Sequence, residues 1–468
     1  MSQKPEPSEN GCAGDLATAE LNLAKRQCMK ILVVTRAFPV ENTIGSHSYL
    51  LALVAYLKKS GFRVRLLVLD PSPGGNVPVF VIPASARRLF PVLARDNIQI
   101  SHLLLRFKSF ADCLVSPVWA AYYAVAEALQ NLLCRPFHGA MIRMHHILRQ
   151  FATVKNNTVQ PWDALTTSDE VDFCRNAFLA DKPDVVIANY AFLGHVFSAI
   201  PPETPALRVI LTHDVRHERV RDFEKKRIPI LGESELDLQK EKRLLAGAQL
   251  LLAIQEEDAA SLKDMMPQCE VLTVPMPAVL KSTLANQVSG RCLFVGSLAN
   301  HNVYGLNWLL ENVWPLVLRS VPYATLHVCG TVCHTITKEA QNVSFLGRVD
   351  DLITEYGAAQ VCLVPLIVGS GLKIKLVEAL SYGRVCVSTP IGVQGIRDIQ
   401  DKAVVVADSA QSFAMAVQRI LTDTDKRRSM EEQARSFVSA RLSPETVYQP
   451  LVDRICRHMS ETVGLEVA

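Results

Sequence analysis

The run Val368-Gly-Ser-Gly-Leu-Lys-Ile-Lys-Leu-Val-Glu-Ala-Leu-Ser-Tyr-Gly383 holds the densest chemistry in the chain. It follows an apolar segment, Val361–Pro365, and continues with helical periodicity. Gly369 and Gly371 permit tight backbone geometry and close approach of a ligand to the main chain. The first amides of a helix are free donors at the positive end of its macrodipole, which suits a phosphate. Lys375 adds a full positive charge one turn in. Glu378, three residues later, shares its helical face. A carboxylate there can accept hydrogen bonds from two neighbouring ribose hydroxyls. A lone Gly-Ser-Gly would equally fit an ordinary turn followed by a surface Lys–Glu pair.

Two residues of the first half join this set. His213 follows the strand-like Leu207–Leu211 at its carboxyl end, where ligands collect in open α/β sheets. Gly45 sits in a loop before a helix. Taken alone, each also fits a structural role. Other candidates are weaker. Cys329-Gly-Thr-Val-Cys333-His334 has one residue too many for haem attachment and reads as buried thiols. His145-His146 reads as a solvated face, and Asp350-Asp351 as a surface turn.

The elements that position these residues alternate. Strands are expected at Ile31–Thr35, Arg63–Leu69, Asp184–Ala188, Leu207–Leu211, Leu250–Ile254 and Val271–Val274. A second series runs through Cys292–Val295, Thr325–Val328, Val343–Leu346, Val361–Pro365, Val385–Ser388 and Val404–Val406. Helices fit between them, at His47–Ser60, Leu306–Leu318, Gly371–Tyr382 and Ala410–Leu421. Short apolar strands between amphipathic helices indicate parallel sheets covered on both faces. The expected layout is a flexible tail over 1–28, a first doubly wound domain over 29–280, a second over 291–440 and a C-terminal helix over 441–468. Residues 277–290 serve as linker, and Met29 is a candidate true start. Residues 87–150 break the alternation and are expected to be a largely helical insertion, with eight basic residues against three acidic ones. Such helices either cover the first sheet with their basic faces in water or face an acceptor or a membrane.

Composition narrows the function. Of 468 residues, 49% are apolar and 20% charged, enough for sizeable cores, and the net charge of +3 argues against a nucleic-acid binder. Twelve scattered cysteines fit reduced thiols rather than a secreted disulfide framework. The polar start lacks the apolar region of a signal peptide, so a cytoplasmic protein is expected, at most peripheral at the inner membrane face.

Several motifs occur in one order: Thr212-His-Asp-Val215, Ala253-Ile-Gln-Glu-Glu-Asp258, Phe294-Val-Gly-Ser297, Phe345-Leu-Gly-Arg-Val-Asp-Asp351, Gly369-Ser-Gly…Lys375…Glu378-Ala-Leu and Ser388-Thr-Pro-Ile-Gly392. Together they resemble the family 4 (group 1) glycosyltransferases of GT-B fold, in a branch with the Gly-Ser-Gly…Lys…Glu form. The resemblance covers roughly residues 29–460. It implies two Rossmann-like domains facing a cleft and retaining transfer of a sugar from a nucleotide-diphosphate sugar, a UDP-sugar favoured, with no metal and no cofactor. The acceptor would be a glycan, a lipid or a small molecule. By the family pattern His213, Lys375 and Glu378 are the catalytic set. Glu378 would hold the ribose, Lys375 the diphosphate, and Gly45 the phosphate from across the cleft. His213 would sit by the transferred sugar. The backbone around Gly347, Arg348 and Val349 would cradle the base, and Gly296, Ser297, Ser370, Gly371 and Leu372 complete the donor site. The chain departs from the pattern at Ser370, where a glutamate is common, and in the loop Ser297–Asn302, which lacks the usual Arg and Lys. Those departures keep two alternatives open: a catalytically degenerate nucleotide-binding partner subunit, and a GT-B nucleotide-sugar epimerase.

Overall fold

A computed structural model describes residues 26–36, 39, 45–69, 99–102, 165–228, 236–282, 286–335, 340–349, 351–369 and 371–466. The chain divides into two compact units, Met1–Thr43 with Leu57–Arg208, and Ile44–Tyr56 with Val209–Ala468. Helix α1 (Gly45–Lys59) carries the chain from one to the other.

Strands β1 (Lys30–Thr35), β2 (Arg63–Val68), β3 (Gln99–His102), β4 (Val185–Asn189), β5 (Leu207–Leu211), β6 (Leu250–Ala253) and β7 (Glu270–Thr273) run in the order β3-β2-β1-β4-β5-β6-β7. Their pairings are parallel, as Ile31 beside Val64 and Val209 beside Leu250 illustrate. Ile31, Leu32, Val33 and Val34 are all buried, the pattern of a strand covered on both faces. In the first unit, helix α2 (Ser168–Asp181) opens with a capping box. Glu170 N–H donates to Thr167 Oγ1 at 3.3 Å and Thr167 N–H to Glu170 Oε2 at 2.7 Å.

Of the segment 87–150, only Gln99–His102 lies within the described residues. Within that expected largely helical segment it forms an edge strand paired with β2 from Arg65–Gln99 to Val68–His102. Trp119, Tyr122, His145, His146 and the remaining basic residues of the segment fall outside the described residues, as does most of the 1–28 tail.

The second unit adds β8 (Arg291–Val295), β9 (Thr325–Cys329), β10 (Val343–Gly347), β11 (Val361–Val364), β12 (Cys386–Ser388) and β13 (Val404–Val406), ordered β10-β9-β8-β11-β12-β13 and all parallel. The order reverses at β8 and β11, so the carboxyl ends of these strands form a topological switch point. The helices of this unit are α3 (Arg216–Lys225), α4 (Leu238–Leu245), α5 (Glu256–Met265), α6 (Asn300–Trp308), α7 (Trp314–Ser320), α8 (Ile353–Ala358), α9 (Ile374–Ser381), α10 (Ala410–Thr422), α11 (Thr424–Arg441) and α12 (Pro444–Glu466). The helix expected over Leu306–Leu318 starts at Asn300 and passes through a π turn, Leu309–Val313, before α7. Pro315 explains the change of winding, since it has no N–H for the i−4 bond.

Trp314, Phe294, Phe413, Leu309 and Ile420 form the core between this sheet and α6, α7 and α10. On α12, Tyr448 stacks on Tyr49 of α1 with ring centroids 6.5 Å apart, and its hydroxyl donates to Tyr49 O at 3.4 Å. Among the described residues no helix is long and apolar enough to cross a membrane.

Trp314 is 2% exposed, and its indole N–H donates to Gln341 O at 2.8 Å. Trp314→Ala therefore opens a core cavity and orphans an acceptor, with an expected cost of about 3–5 kcal/mol. The check is a lowered urea midpoint for the transition that exposes the second unit.

Candidate active site

The Gly-Ser-Gly segment leads from β11 to α9, all inside the second unit. Gly369 and Gly371 take φ of +126° and +71°, values that a side chain would strain. Helix α9 begins at Ile374 rather than at Gly371, because Gly371 is left-handed and Lys373 is extended. Lys375 is thus the second helical residue, closer to the free amides than sequence spacing implied. The Lys373 side chain does not cap them. It folds back instead, donating to Gly371 O at 2.6 Å and Gln394 Oε1 at 3.2 Å.

Lys375 Nζ donates to Asn302 Oδ1 and lies 4.8 Å above the Phe294 ring. Burial, reinforced by Lys373, brings its ammonium down to about 7. Burial likewise lowers Lys373 to about 8, opposed by Asp258 and Asp214. His301, beside both lysines, is held well below the usual imidazole range by burial and their charge. Such a place stores positive potential that an anion would relieve.

Glu378 lies further along α9. Its Oε2 accepts from the Tyr356 hydroxyl at 3.1 Å, and Tyr356 stacks on Tyr382 at 4.5 Å. Lys281 Nζ sits 4.8 Å over the Tyr382 ring. Burial raises the Glu378 carboxyl, while Lys281 and the Tyr356 bond oppose the shift.

Backbone approaches the site where strands β8, β9 and β10 end. Gly296 N–H donates to Cys329 O at 2.9 Å, and Gly330 N–H to Gly347 O at 2.6 Å. A Cβ at Gly330 would overlap the Gly296 carbonyl, whereas one at Gly347 would meet nothing within 4 Å. The main chain at Gly347 is therefore open to a flat ligand. Arg348 beside it is exposed and Val349 half-buried.

His213 ends β5 with φ +62°, uncommon for a residue with a side chain. Its ring meets Tyr49 edge-on at 5.5 Å. Burial, opposed by Asp214 and assisted by His47, lowers its pKa to about 3, so the ring is neutral at physiological pH. Asp214 pairs with Arg219 at 2.9 Å. A Cβ at Gly371 would lie 3.0 Å from His213 O. Gly45 is the first residue of α1 rather than a loop residue, and a Cβ there would overlap Ile374 Cδ1. Gly45, His213, Gly371 and the start of α9 thus converge within one unit.

Comparison with known proteins agrees with this geometry. Residues 289–423 match the family described as "Glycosyl transferases group 1". A Klebsiella pneumoniae protein described as an uncharacterized 44.6 kDa protein in the cps region is 25% identical over 171 residues, which is 34% of this chain and 44% of that protein. The aligned stretch therefore spans less than half of that relative. Among solved structures, sucrose-phosphate synthase from Thermosynechococcus elongatus has a TM-score of 0.58 at 15% identity, covering 94% of this chain and 99% of the other. HepE of Anabaena, in complex with UDP and glucose, gives 0.56 at 13%, covering 91% and 99%. The pneumococcal O-GlcNAc transferase GtfA, in complex with UDP and GlcNAc, gives 0.58 at 10%, covering 92% and 99%. The chain has the two-domain α/β GT-B fold.

Within residues 289–423, Gly296, Ser297, Gly371, Leu372, Lys375 and Glu378 surround the switch point, and Ser370 falls outside the described residues. Ser297 is exposed, and its O and Oγ accept from Asn302 Nδ2 at 3.0 and 3.1 Å. Asn302 was legible only as part of a loop lacking Arg and Lys, yet it joins that loop to Lys375. Gly330, Tyr356 and Lys281 also escaped sequence reasoning. For Gly330 the signal was present: a glycine directly after a strand that neighbours β8. The Cys329 and Cys333 thiols are free and raised by burial, Cys329 to about 12. Asp351 Oδ1 accepts from Ile353 N–H at 2.9 Å, a turn contact.

A lysine lowered to about 7 is separable from surface lysines, which titrate near ~10.4. In protein carrying 13C-labelled lysine, one Cε resonance should titrate near pH 7 and vanish in Lys375→Arg. Its titration with the surface set would refute the burial argument.

Proposed function

We propose that the chain is a retaining family 4 glycosyltransferase of the Gly-Ser-Gly branch, moving a sugar from a nucleotide-diphosphate sugar to an acceptor hydroxyl without a metal ion. One observation carries the reading: a single short helix presents free amides, Lys375 and Glu378 in sequence behind a left-handed glycine turn. Amides and lysine complement a diphosphate, and the carboxylate complements a ribose. HepE and GtfA were solved in complex with UDP, which favours a UDP-sugar here.

Each residue then has a task. Breaking the anomeric bond leaves negative charge on the departing diphosphate, and fixed donors stabilise charge that develops in the transition state. The α9 amides and Lys375 supply those donors, the work that a divalent ion would otherwise do. Glu378 accepts from the ribose through the oxygen that Tyr356 leaves unused. The base lies along the open backbone at Gly347, Arg348 and Val349, with Gly296 and Ser297 beside the phosphates. Gly371 and Gly45 let backbone approach the diphosphate, and Leu372 packs beneath. His213 is neutral and hydrogen-bonds the transferred sugar rather than donating charge. With retention, the leaving phosphate itself takes the acceptor's proton on the face that it departs from. The acceptor is a glycan, lipid or small molecule, and the setting is the cytoplasm, with peripheral contact at the inner membrane face through the basic segment 87–150.

Because Lys375 titrates near 7 when unoccupied, diphosphate binding takes up a proton above that pH, and affinity should fall as pH rises from 6 to 8.5. Calorimetry with UDP, GDP and ADP should find one nucleotide bound with this pH dependence. Glu378→Ala should weaken it by about 1.5–3 kcal/mol, the range for hydrogen bonds to a charged group. His213→Ala should lower turnover while leaving diphosphate affinity within about threefold. Undiminished turnover would refute the sugar contact, and a covalent glycosyl-enzyme adduct would refute the same-face mechanism. Nucleotide binding without transfer to any acceptor would favour the degenerate partner subunit.

A further inference from the structure

Within the second unit, helix α3 turns one face toward the chain that leaves β11. Arg219, Asp222 and Lys226 are spaced i, i+3 and i+7 and so share that face, with Lys226 as the C-cap residue. Lys226 Nζ donates to Ile367 O at 2.7 Å. Gly369 N–H donates to Asp222 Oδ2 at 3.4 Å. Arg219 pairs with Asp214 at 2.9 Å, and a Cβ on Gly371 would lie 3.4 Å from Asp214 Cβ. Lys226 and Asp222 also pair with each other at 3.2 Å. One ion pair therefore grips the main chain at a carbonyl and at an amide two residues later.

An i,i+4 pair with side chains 36% and 31% exposed adds little to stability by itself. Its second set of bonds gives it a use. Gly369 takes φ +126°, and a Cβ there would lie 3.4 Å from His301 Cβ, so the glycine is held between α6 and α3. Glycines give a turn freedom, whereas donors that stabilise a developing charge must be fixed before the ligand arrives. We propose that Asp222 and Lys226 are positioning residues for the donor: they clamp Ile367 and Gly369, and so fix the approach to the α9 amides and Lys375 that receive a nucleoside diphosphate. The assignment rests on the nucleotide-sugar reading and adds two residues from outside the turn and α9.

Asp222→Ala and Lys226→Met separate a clamp from charge alone. If only the field mattered, losing an anion beside a diphosphate site would tighten binding and losing a cation would loosen it. A clamp predicts loosening by both. Calorimetry with UDP, GDP and ADP should find one nucleotide bound by wild type, and bound about fivefold or more weakly by either variant. Lys226→Arg, which can still donate to Ile367 O, should stay within about twofold of wild type. Hydrogen exchange should quicken about tenfold at one amide of the peptide that contains Gly369, in both loosened variants, with thermal midpoints unchanged. Tighter binding in Asp222→Ala, wild-type affinity in either variant, or unchanged exchange overturns the proposal. So does a lowered midpoint with faster exchange throughout the second unit, which marks a general structural role. Wild type that binds none of the three nucleotides overturns the nucleotide-sugar reading and the donor role with it, and exchange alone then decides whether the clamp holds the turn.

Discussion

Burying positive charge is the constraint on which the site depends. Lys373 and Lys375 stand two residues apart at the start of α9, where free amides already present a positive dipole end. A low-dielectric surrounding makes both ammonium groups costly, as their lowered pKa values record. Lys373 donates to a backbone carbonyl and a glutamine, and Lys375 to an asparagine while lying over an aromatic face. Carboxylates would have satisfied them more fully and left less potential for a ligand. Of the carboxylates acting on Lys373, Asp258 is the strongest and Asp214 the next, and Asp214 is engaged with Arg219.

Close backbone approach follows from the same need. Donors fixed before a ligand arrives require no reorganisation, but they must come within hydrogen-bond reach of it. Glycine supplies that reach at two levels. Gly371 runs beside the His213 carbonyl, and Gly330 beside Gly296, where a side chain would have no room. The second contact joins the ends of β8 and β9, so the phosphate turn and the open backbone at Gly347 rest on one stack of strand termini.

Most of the architecture was legible because parallel strands buried on both faces write continuous apolar runs. Leu207–Leu211 and Val404–Val406 fall where their composition placed them. The misses share a cause: local winding set by single residues. Pro315 imposes a π turn within an expected continuous helix, and Gly371 delays α9 by three residues. Gln99–His102 is too short and too polar for periodicity to separate an edge strand from a helix; pairing with β2 decides it. In the site, charged residues announced themselves, while Asn302 and Tyr356 did not. Their importance lies in which partner they orient, and that partner is 73 residues away for Asn302 and 22 for Tyr356.

Around Lys373, Asp258, Asp214 and Asp222 favour the charged ammonium, while burial and Arg219 oppose it. Burial outweighs those carboxylates, which favours the neutral form of each lysine in the empty site and proton uptake when an anion binds. Asp258 is the strongest of these acids, and burial raises its own carboxyl to about 7. Charge at the turn, at the helix start and on α5 is therefore coupled.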